Sequence, residues 1–252
     1  MAVTAQPALI RDSICMNTQI VDSPHGVTLV GGGPVQGRIL GMALRRAPVL
    51  VAADGGADRV LAAGHMPVAV IGDFDSLSPE GRRLIPAERQ HVIAEQESTD
   101  FDKALRSIAA PFVLALGFAG ARIDHGLAVF NALLRYPDRV CIVLGAEDAV
   151  FLCPPDITLH LQIGDRVSLF PMGAVRGTSD GLRWPIDGIA FAPDGPVGTS
   201  NEVSAPTVRL RVDAARMLVI LPRQRLDAAL NALVPRWLPS RAARAPRSAR
   251  GG

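Results

Sequence analysis

The stretch VIGDFDSLSPE, residues 70–80, carries two carboxylates, Asp73 and Asp75, on either side of one phenylalanine. On an extended segment the two side chains face the same way, about 7 Å apart. At an effective dielectric near 20, two such charges repel by about 2.4 kcal/mol. A divalent cation between them would remove this cost, and Mg²⁺ favours carboxylates together with substrate phosphates. The alternative is that Asp73 caps a turn and Asp75 caps a helix starting near Ser78.

Three further acids share this placement. Asp54, Asp100 and Asp124 also fall just after a predicted strand or at the start of the helix that follows it. The carboxyl ends of parallel strands meet at one rim of a sheet, where ligands of such folds bind. Capping explains one acid easily and five poorly, so we expect a metal or phosphate site at this rim.

Two glycine clusters have the same location. GGGP, from Gly31 to Pro34 and including Gly32 and Gly33, follows the first predicted strand, and DGGAD follows the second. Exposed backbone amides with a helix N-terminus behind them suit a polyphosphate. The chain contains no GxxxxGK[ST] sequence, so neither cluster is a Walker A loop. Alternatively, each cluster serves only as a tight connection.

Lys103 is the only lysine among 26 basic residues and lies one helical turn from Asp100. A compact, flexible ammonium suits a phosphate oxygen. The alternative is a surface lysine paired with Asp100 or Asp102. In GARIDH, Arg122 would add a planar phosphate clamp, and His125 is either a polar orienting group or a structural residue.

These residues need a scaffold, and the pattern of the chain predicts one. From Val27 to about Cys153, apolar runs that end in Gly or Asp alternate with helical patterns, which is typical of a parallel sheet covered on both faces. We therefore predict a doubly wound, mostly parallel α/β domain. After Pro154 short strands follow one another without helices, which indicates a small antiparallel β domain. The predicted boundaries are a loose N-terminal extension at 1–24, an α/β domain at 25–153, a β domain at 154–235 and a disordered Arg-rich tail at 236–252.

Composition excludes several classes of protein. The chain has 252 residues, of which 48% are hydrophobic, and no apolar run approaches the length of about 20 residues that spans a bilayer. We expect no signal peptide and no membrane partner. The three cysteines form no CxxC pair, so we interpret them as reduced thiols of a cytoplasmic protein. The formal charge of +2 comes from the tail, and we expect no nucleic-acid partner.

Four motifs in order resemble the thiamine pyrophosphokinase (thiamine diphosphokinase) family: ADGGADRVL, GDFDSLSPE, EQESTDFDKAL and GARIDHGLAVFNALL. GDRVSLFPMG, GTSDGLRWPI and TSNEV resemble its second domain, and the likeness covers about Val27 to Pro222. The resemblance implies a nucleotide-binding α/β domain followed by a thiamine-binding β-sandwich. It also implies Mg²⁺-dependent transfer of a diphosphoryl group from ATP to the hydroxyl of thiamine, with release of AMP, by a homodimer whose sites are shared between subunits.

The resemblance assigns roles to matching positions. It implies Mg²⁺ ligands at Asp73, Asp75 and Asp100, and a phosphate end completed by Lys103, Arg122 and Asp124. Together these suggest as catalytic residues Asp73, Asp100, Lys103, Arg122 and Asp124, with the general base left open between Asp100 and Asp124. The expected binding residues for nucleotide and thiamine are Gly32, Gly33, Asp54, Gly55, Gly56, Gln96, Trp184, Ser200 and Asn201. The last three would act from the partner subunit.

One position departs from the family, which often has Asn where this chain has Asp58. An extra negative charge near the triphosphate would weaken nucleotide binding unless it points away or meets Arg59. Two other functions remain open: a pyrophosphokinase acting on a pterin alcohol, and a non-catalytic Mg-nucleotide-binding protein. Gln96, Trp184 and the TSNEV loop favour thiamine, although Trp184 could also be a simple packing residue.

Overall fold

The computed structural model describes residues 19–120 and 122–234, so the Arg-rich tail and most of the N-terminal extension lie outside the described residues. The helices are α1 (Gly37–Leu44), α2 (Gly56–Ala62), α3 (Pro79–Leu84), α4 (Asp100–Arg106), α5 (Ile123–Arg135) and α6 (Leu226–Leu233). None of the described helices combines the length and the apolar character required to cross a bilayer.

One ten-stranded sheet runs through the molecule. Six parallel strands stand side by side in the order β5-β4-β3-β2-β7-β8, and four antiparallel strands continue the sheet in the order β9-β16-β11-β14. The parallel strands are β2 (Val27–Val30), β3 (Val49–Ala53), β4 (Ala69–Gly72), β5 (Gln90–Val92), β7 (Val113–Leu116) and β8 (Cys141–Leu144). The antiparallel strands are β9 (Asp148–Leu152), β11 (Arg166–Pro171), β14 (Gly198–Glu202) and β16 (Met217–Pro222).

The central parallel strands are apolar because both of their faces are covered. Along β3, Val51 and Ala53 pack with residues of α4 and α5, whereas Leu50 and Ala52 pack with residues of α1 and α2 on the other face. Since successive side chains of a strand point to opposite faces, such a strand needs a continuous apolar run. This arrangement confirms the predicted doubly wound, mostly parallel fold.

The antiparallel end of the large sheet faces a second, four-stranded sheet with the order β10-β15-β12-β13. Its strands are β10 (Asp156–His160), β12 (Val175–Asp180), β13 (Ala190–Phe191) and β15 (Thr207–Val212). Leu159 and Leu210 of this sheet lie in one core cluster with Leu169 and Val219 of the large sheet. The two sheets therefore form the predicted antiparallel sandwich, which shares its larger sheet with the α/β region.

A short parallel pair joins β1 (Val21–Asp22) to β6 (Ile108–Ala109). The last residues of the segment predicted as a loose extension are thus paired with the strand that follows α4. Ser23 is buried in this region and its amide donates to the carbonyl of Ala109.

The order in which strands are added reverses at β2. The chain first adds β3, β4 and β5 on one side of β2, and it later adds β7 and β8 on the other side. The loops after β2 and β7 touch, because the amide of Gly33 donates to the carbonyl of Gly117 over 2.9 Å. A Cβ on Gly33 would lie only 2.6 Å from that oxygen, so the close approach requires glycine. Ligands of open α/β sheets bind at such a point.

The start of α2 provides a test of this close packing. A Cβ on Gly56 would lie 2.0 Å from the carbonyl oxygen of Val30, so Gly56→Ala must displace helix or strand. We expect the free energy of unfolding to fall by about 1 to 3 kcal/mol, measured by urea titration. Gly37→Ala is the matched control, since its Cβ would meet nothing within 4 Å at the first residue of α1. It should change stability by less than about 1 kcal/mol, and equal losses in the two variants would contradict the packing argument.

Candidate active site

The carboxylates predicted at the strand ends converge on one rim. Asp54 follows β3, Asp73 and Asp75 follow β4, and one carboxylate oxygen from each of the three lies within 4.8 Å of the others. The expected separation of about 7 Å for Asp73 and Asp75 is therefore wrong. The physical reason is that Phe74, between them, is not extended but has a φ of +67°. At this closer distance each pair repels by at least about 3.5 kcal/mol at an effective dielectric of 20.

Asp54 is the most constrained of these acids. It is buried and adopts a left-handed backbone conformation, with a φ of +42°. Its Oδ2 accepts a hydrogen bond from the amide of Ser76 at 3.1 Å, but Oδ1 is buried and accepts none of normal geometry from the described residues. Burial and the negative charge of Asp100 raise the pKa of Asp54. A cation would satisfy this oxygen.

Lys103 provides the positive charge of the cluster. Its side chain is only 1% exposed, and Nζ lies 2.9 Å from Asp73 Oδ2 and 3.4 Å from Asp100 Oδ1. Burial alone would lower the pKa of Lys103, but the two carboxylates raise it, so the ammonium persists. Lys103 is therefore a buried partner of the acids and not the surface residue of the alternative interpretation.

The acids around Lys103 differ in their protonation preferences. The hydrogen bond from Lys103 lowers the pKa of Asp73. Burial raises the pKa of Asp100, helped by the charges of Asp73 and Asp75 and opposed by Lys103. Gln96, from the loop before α4, joins the same group, since its Nε2 donates to Asp73 Oδ2 at 3.3 Å.

Helix capping does not explain Asp75. Ser78 is the N-cap of α3 and its hydroxyl accepts from the amide of Gly81 at 2.9 Å. Asp75 is exposed and accepts from the hydroxyl of Ser76 at 2.9 Å, and the contact by which Asp73 would cap the turn, from the amide of Asp75, is long at 3.4 Å.

Asp58, the residue that departs from the family pattern, forms its hydrogen bonds with Ser78 and not with its neighbour Arg59. It accepts from the amide of Ser78 at 2.9 Å and from the hydroxyl of Ser78 at 2.6 Å. Arg59 donates instead to the carbonyl of Gly32 over 3.2 Å. The extra carboxylate is thus used to hold the start of α3. Gly32 and Gly33 precede α1, and Gly55 and Gly56 form the turn into α2.

Arg122 and Asp124 lie at the start of α5, after β7, and both are exposed. They bind each other, with Arg122 Nη2 2.5 Å from Asp124 Oδ2. In the described part of the chain they make no hydrogen bond or ion pair with the acid cluster. His125, the next residue, is also exposed.

The residues expected on the thiamine side form a second, separate group. Asn201, buried on β14, donates from Nδ2 to the carbonyl of Trp184 at 2.7 Å and accepts from the amide of Trp184 at 3.2 Å. Ser200 precedes Asn201 and donates its amide to the hydroxyl of Ser168. Trp184 itself is 53% exposed, with the Arg183 guanidinium 4.9 Å from its ring centroid. Such exposure argues against a simple packing role.

These two groups lie far apart within one chain. The acid cluster follows β3 and β4, whereas β14 is the opposite edge strand, seven to eight strands away. At about 4.8 Å per strand this distance is about 35 Å along the sheet. Trp184, bound to β14 through Asn201, and the acid cluster of the same chain therefore belong to opposite ends of the sheet.

Sequence reasoning missed two residues of the acid cluster's surroundings. Ser76 fixes Asp54 through its amide and Asp75 through its hydroxyl. Ser78 receives no role from the sequence beyond a helix start, yet it connects Asp58 to α3. Serines after a DFD segment carry no distinctive pattern, so only the coordinates reveal these contacts.

Comparisons of the sequence and of the fold with known proteins all give the same family. The family model described as "Thiamin pyrophosphokinase, catalytic domain" matches residues 40–144, and "Thiamin pyrophosphokinase, vitamin B1 binding domain" matches residues 156–217. The chain is similar to thiamine pyrophosphokinase 1 of Oryza sativa subsp. japonica, with 29% identity over 67% of this chain and 77% of that protein. It is 30% identical to thiamine pyrophosphokinase 3 of the same organism, over 63% of this chain and 72% of that protein. The fold resembles the solved structure of thiamin pyrophosphokinase from Candida albicans with a TM-score of 0.65, at 18% identity, over 86% and 96% of the two chains.

The ion pair of Lys103 generates a prediction about stability. Lys103→Met leaves Asp73 and Asp100 without their buried partner, so we expect the free energy of unfolding to fall by about 3 kcal/mol without added divalent cation. Urea titration measures the change. The double variant Lys103→Met/Asp73→Asn should recover part of this loss, because it removes one uncompensated charge. If the loss in the double variant equalled the sum of the losses in the two single variants, the charges of Lys103 and Asp73 would not act on each other.

Proposed function

The chain belongs to the thiamine pyrophosphokinase family and is an enzyme that transfers a diphosphoryl group from ATP to thiamine, and from this premise we propose how its residues act. The observation that carries the proposal is the convergence of Asp54, Asp73 and Asp75 within 4.8 Å beside the buried ammonium of Lys103. The match to a vitamin B1 binding domain over residues 156–217 favours thiamine over a pterin alcohol as acceptor.

The donor set fits Mg²⁺. The converging groups are carboxylates, the hard oxygen ligands that this cation prefers, and Asp54 Oδ1 is buried and accepts no hydrogen bond of normal geometry from the residues that the structure describes. Asp73, Asp75 and Asp54 would hold the ion, so Asp54 takes the place that the resemblance gives to Asp100. When bound, Mg²⁺ neutralises charge on the phosphates of ATP.

Asp100 is the stronger candidate for the general base. Its pKa is raised by burial and by the neighbouring acids Asp73 and Asp75, which suits a group that must accept the proton of the thiamine hydroxyl. Asp124 is bound by Arg122, and the hydrogen bond from Arg122 lowers the pKa of Asp124. Asp124 is therefore a weaker proton acceptor.

Lys103 and Arg122 would stabilise the phosphate charges. Attack occurs on the β-phosphorus, so negative charge develops on the transferred group and on the departing AMP. Two carboxylates already hold Lys103 in place, so its side chain loses little further conformational entropy when it binds a phosphate oxygen. Arg122 stands at the N-terminus of α5 beyond the switch point of the sheet, where its fork can bind an oxyanion.

A homodimer would complete the active site. Trp184 and Asn201 of one copy would reach the acid cluster of the other, since about 35 Å of sheet separates the two groups in a single chain. The start of α5 presents Ile123 and Leu127, which are 84% and 59% exposed, close to Arg122. A second copy would cover such apolar side chains. Trp184 would then stack on the thiazolium cation of thiamine.

A cytoplasmic location is also part of the proposal. Cys141 and Cys153 are buried free thiols, and burial raises the pKa of Cys153 to about 12. Such thiols are inert and are typical of proteins kept in a reducing compartment.

The direct test of the function is incubation with ATP, Mg²⁺ and thiamine, followed by analysis for thiamine diphosphate and AMP. Asp73→Asn should reduce Mg²⁺-dependent turnover by at least about a hundredfold, the order lost with one electrostatic group of an active site. Asp75→Asn should act in the same direction, and it does not disturb the Lys103 ion pair. The far-ultraviolet circular dichroism of both variants should be unchanged.

Asp58→Asn is the matched control for these variants. It removes a nearby carboxylate that binds Ser78 instead of facing the cluster; the asparagine oxygen can still accept from the amide of Ser78 while its Nδ2 donates to the Ser78 hydroxyl. Its turnover should stay within about twofold of wild type. Near wild-type activity of Asp73→Asn would refute the metal assignment.

Trp184→Ala should raise the KM for thiamine about tenfold, the loss expected for one desolvated cation–π contact. The KM for ATP should change little, and equal effects on both constants would count against stacking.

Mixing two defective chains tests the shared site. If the acids and Trp184 come from different subunits, a mixed dimer of Asp73→Asn and Trp184→Ala chains contains one intact site. Random association then restores about one quarter of the wild-type sites, assayed at low thiamine concentration. No recovery, with exchange of subunits verified by mass spectrometry, would contradict a site shared between subunits.

A further inference from the structure

Glu95 folds back onto its own loop, the segment between β5 and α4. Its Oε2 accepts from the amides of Glu97 at 2.8 Å and Ser98 at 3.0 Å, and its Oε1 accepts from the hydroxyl of Ser98 and, at 2.7 Å, from Arg106 Nη2. Partial burial alone would raise the pKa of Glu95, but the hydrogen bonds from Ser98 and Arg106 lower it to about 2. The carboxylate is therefore ionised at any working pH.

Arg106, in the last turn of α4, connects this loop to the protein interior. Its Nη1 lies 3.1 Å from Ser98 Oγ and 3.3 Å from Asp102 Oδ1. The side chain of Asp102 is only 3% exposed, and it also accepts from Arg135 Nη1 and, at 2.8 Å, from the hydroxyl of Tyr136. The loop is thus linked through α4 to the end of α5.

Residues of the active site lie within this anchored segment and directly after it. Gln96 directly follows Glu95, and Thr99 caps α4 by accepting from the amide of Asp102 at 3.3 Å. Asp100 is the first residue of the helix and Lys103 follows one turn later. Gln96 is exposed, and among the described residues its side chain makes one hydrogen bond, the 3.3 Å bond to Asp73. Its direction therefore depends on the backbone of the loop.

We propose that Glu95 and Arg106 are positioning residues that aim Gln96 at the reacting groups by fixing the loop from its opposite side. The inference rests on the proposed function, in which Gln96 faces thiamine. The carboxylate of Glu95 accepts hydrogen bonds from the backbone of its own loop. The side chain of the next residue, Gln96, therefore points towards Asp73. The side chains of Glu95 and Arg106 make no hydrogen bond or ion pair with Asp73 or Lys103, and both act through the loop.

The test measures steady-state kinetics of Glu95→Gln in the full-length enzyme. Glutamine keeps the shape of Glu95 and removes its charge, which weakens the charge-assisted bonds to Arg106 and to the loop amides. We expect the KM for thiamine to rise about tenfold, as for the loss of one charged hydrogen bond, with the KM for ATP within twofold. Ser98→Ala, a milder change, removes the hydroxyl between Glu95 and Arg106 and should shift the same constant in the same direction by a smaller factor.

A double-mutant cycle separates positioning from simple stabilisation. In a Gln96→Ala background, Glu95→Gln should cause no further rise in the KM for thiamine, because the group that the loop directs is already absent. A structural role alone would lower the melting temperature and leave the ratio of the two KM values unchanged. Asp227→Asn is the control, since it breaks the Arg46–Asp227 ion pair between α1 and α6 and should not alter that ratio.

Each outcome bears on one of the two proposals. A wild-type enzyme that forms thiamine diphosphate, together with Glu95→Gln and Ser98→Ala variants of unchanged thiamine KM, would overturn the positioning role alone. Additive effects of Glu95→Gln and Gln96→Ala would overturn it as well. A folded wild-type chain that forms no thiamine diphosphate would instead overturn the proposed function and, with it, this inference.

Discussion

The balance of charge at the carboxyl rim is the constraint on which the active site depends. Four carboxylates, those of Asp54, Asp73, Asp75 and Asp100, lie at this rim, and the single ammonium of Lys103 pairs with two of them, Asp73 and Asp100. Lys103 compensates Asp73 most directly, since its hydrogen bond lowers the pKa of that acid, whereas the pKa values of Asp54 and Asp100 are raised. The positive charge of Lys103 therefore neutralises only part of the negative charge of the cluster. A bound divalent cation would relieve this repulsion, which makes affinity for metal a consequence of how the acids are crowded.

The fold creates that crowding from residues that are distant in sequence. Asp54 and Asp73 follow adjacent parallel strands, and Asp100 begins the helix that packs under those strands. Because parallel strands all end at the same edge, acids placed after successive strands meet without a special loop. The left-handed conformations of Asp54 and Phe74 then bring the oxygens closer than an extended chain would allow. Such strained positions persist only where the surrounding structure enforces them.

This division explains what the sequence could predict. Strand-end placement of the acids, the α/β pattern and the antiparallel second half follow from local hydrophobic periodicity, and the structure has all three. The φ of Phe74, the burial of Asp54 Oδ1 and the attachment of Asp58 to Ser78 depend on contacts between segments about twenty residues apart, which periodicity does not encode. The single sheet that joins both halves was also beyond prediction, because strand order is set by long-range pairing. The ion pair between Glu95 and Arg106, which lie eleven residues apart, is likewise a contact that periodicity does not encode.

The continuous sheet gives the proposed dimer its physical logic. Strands in one hydrogen-bonded sheet cannot move independently, so the acid cluster and the Trp184 group stay seven to eight strands apart, which is about 35 Å measured along the sheet. In the proposed two-fold symmetric pair, the β edge of each chain would lie beside the acid rim of the other, and each contact would be made twice. In this arrangement the residues that bind phosphate and the residues that bind thiamine would each be held rigidly within one chain. The alignment of alcohol and phosphorus would be set by the interface, and residues that stiffen the rim, such as Glu95 and Arg106, would matter most for the acceptor.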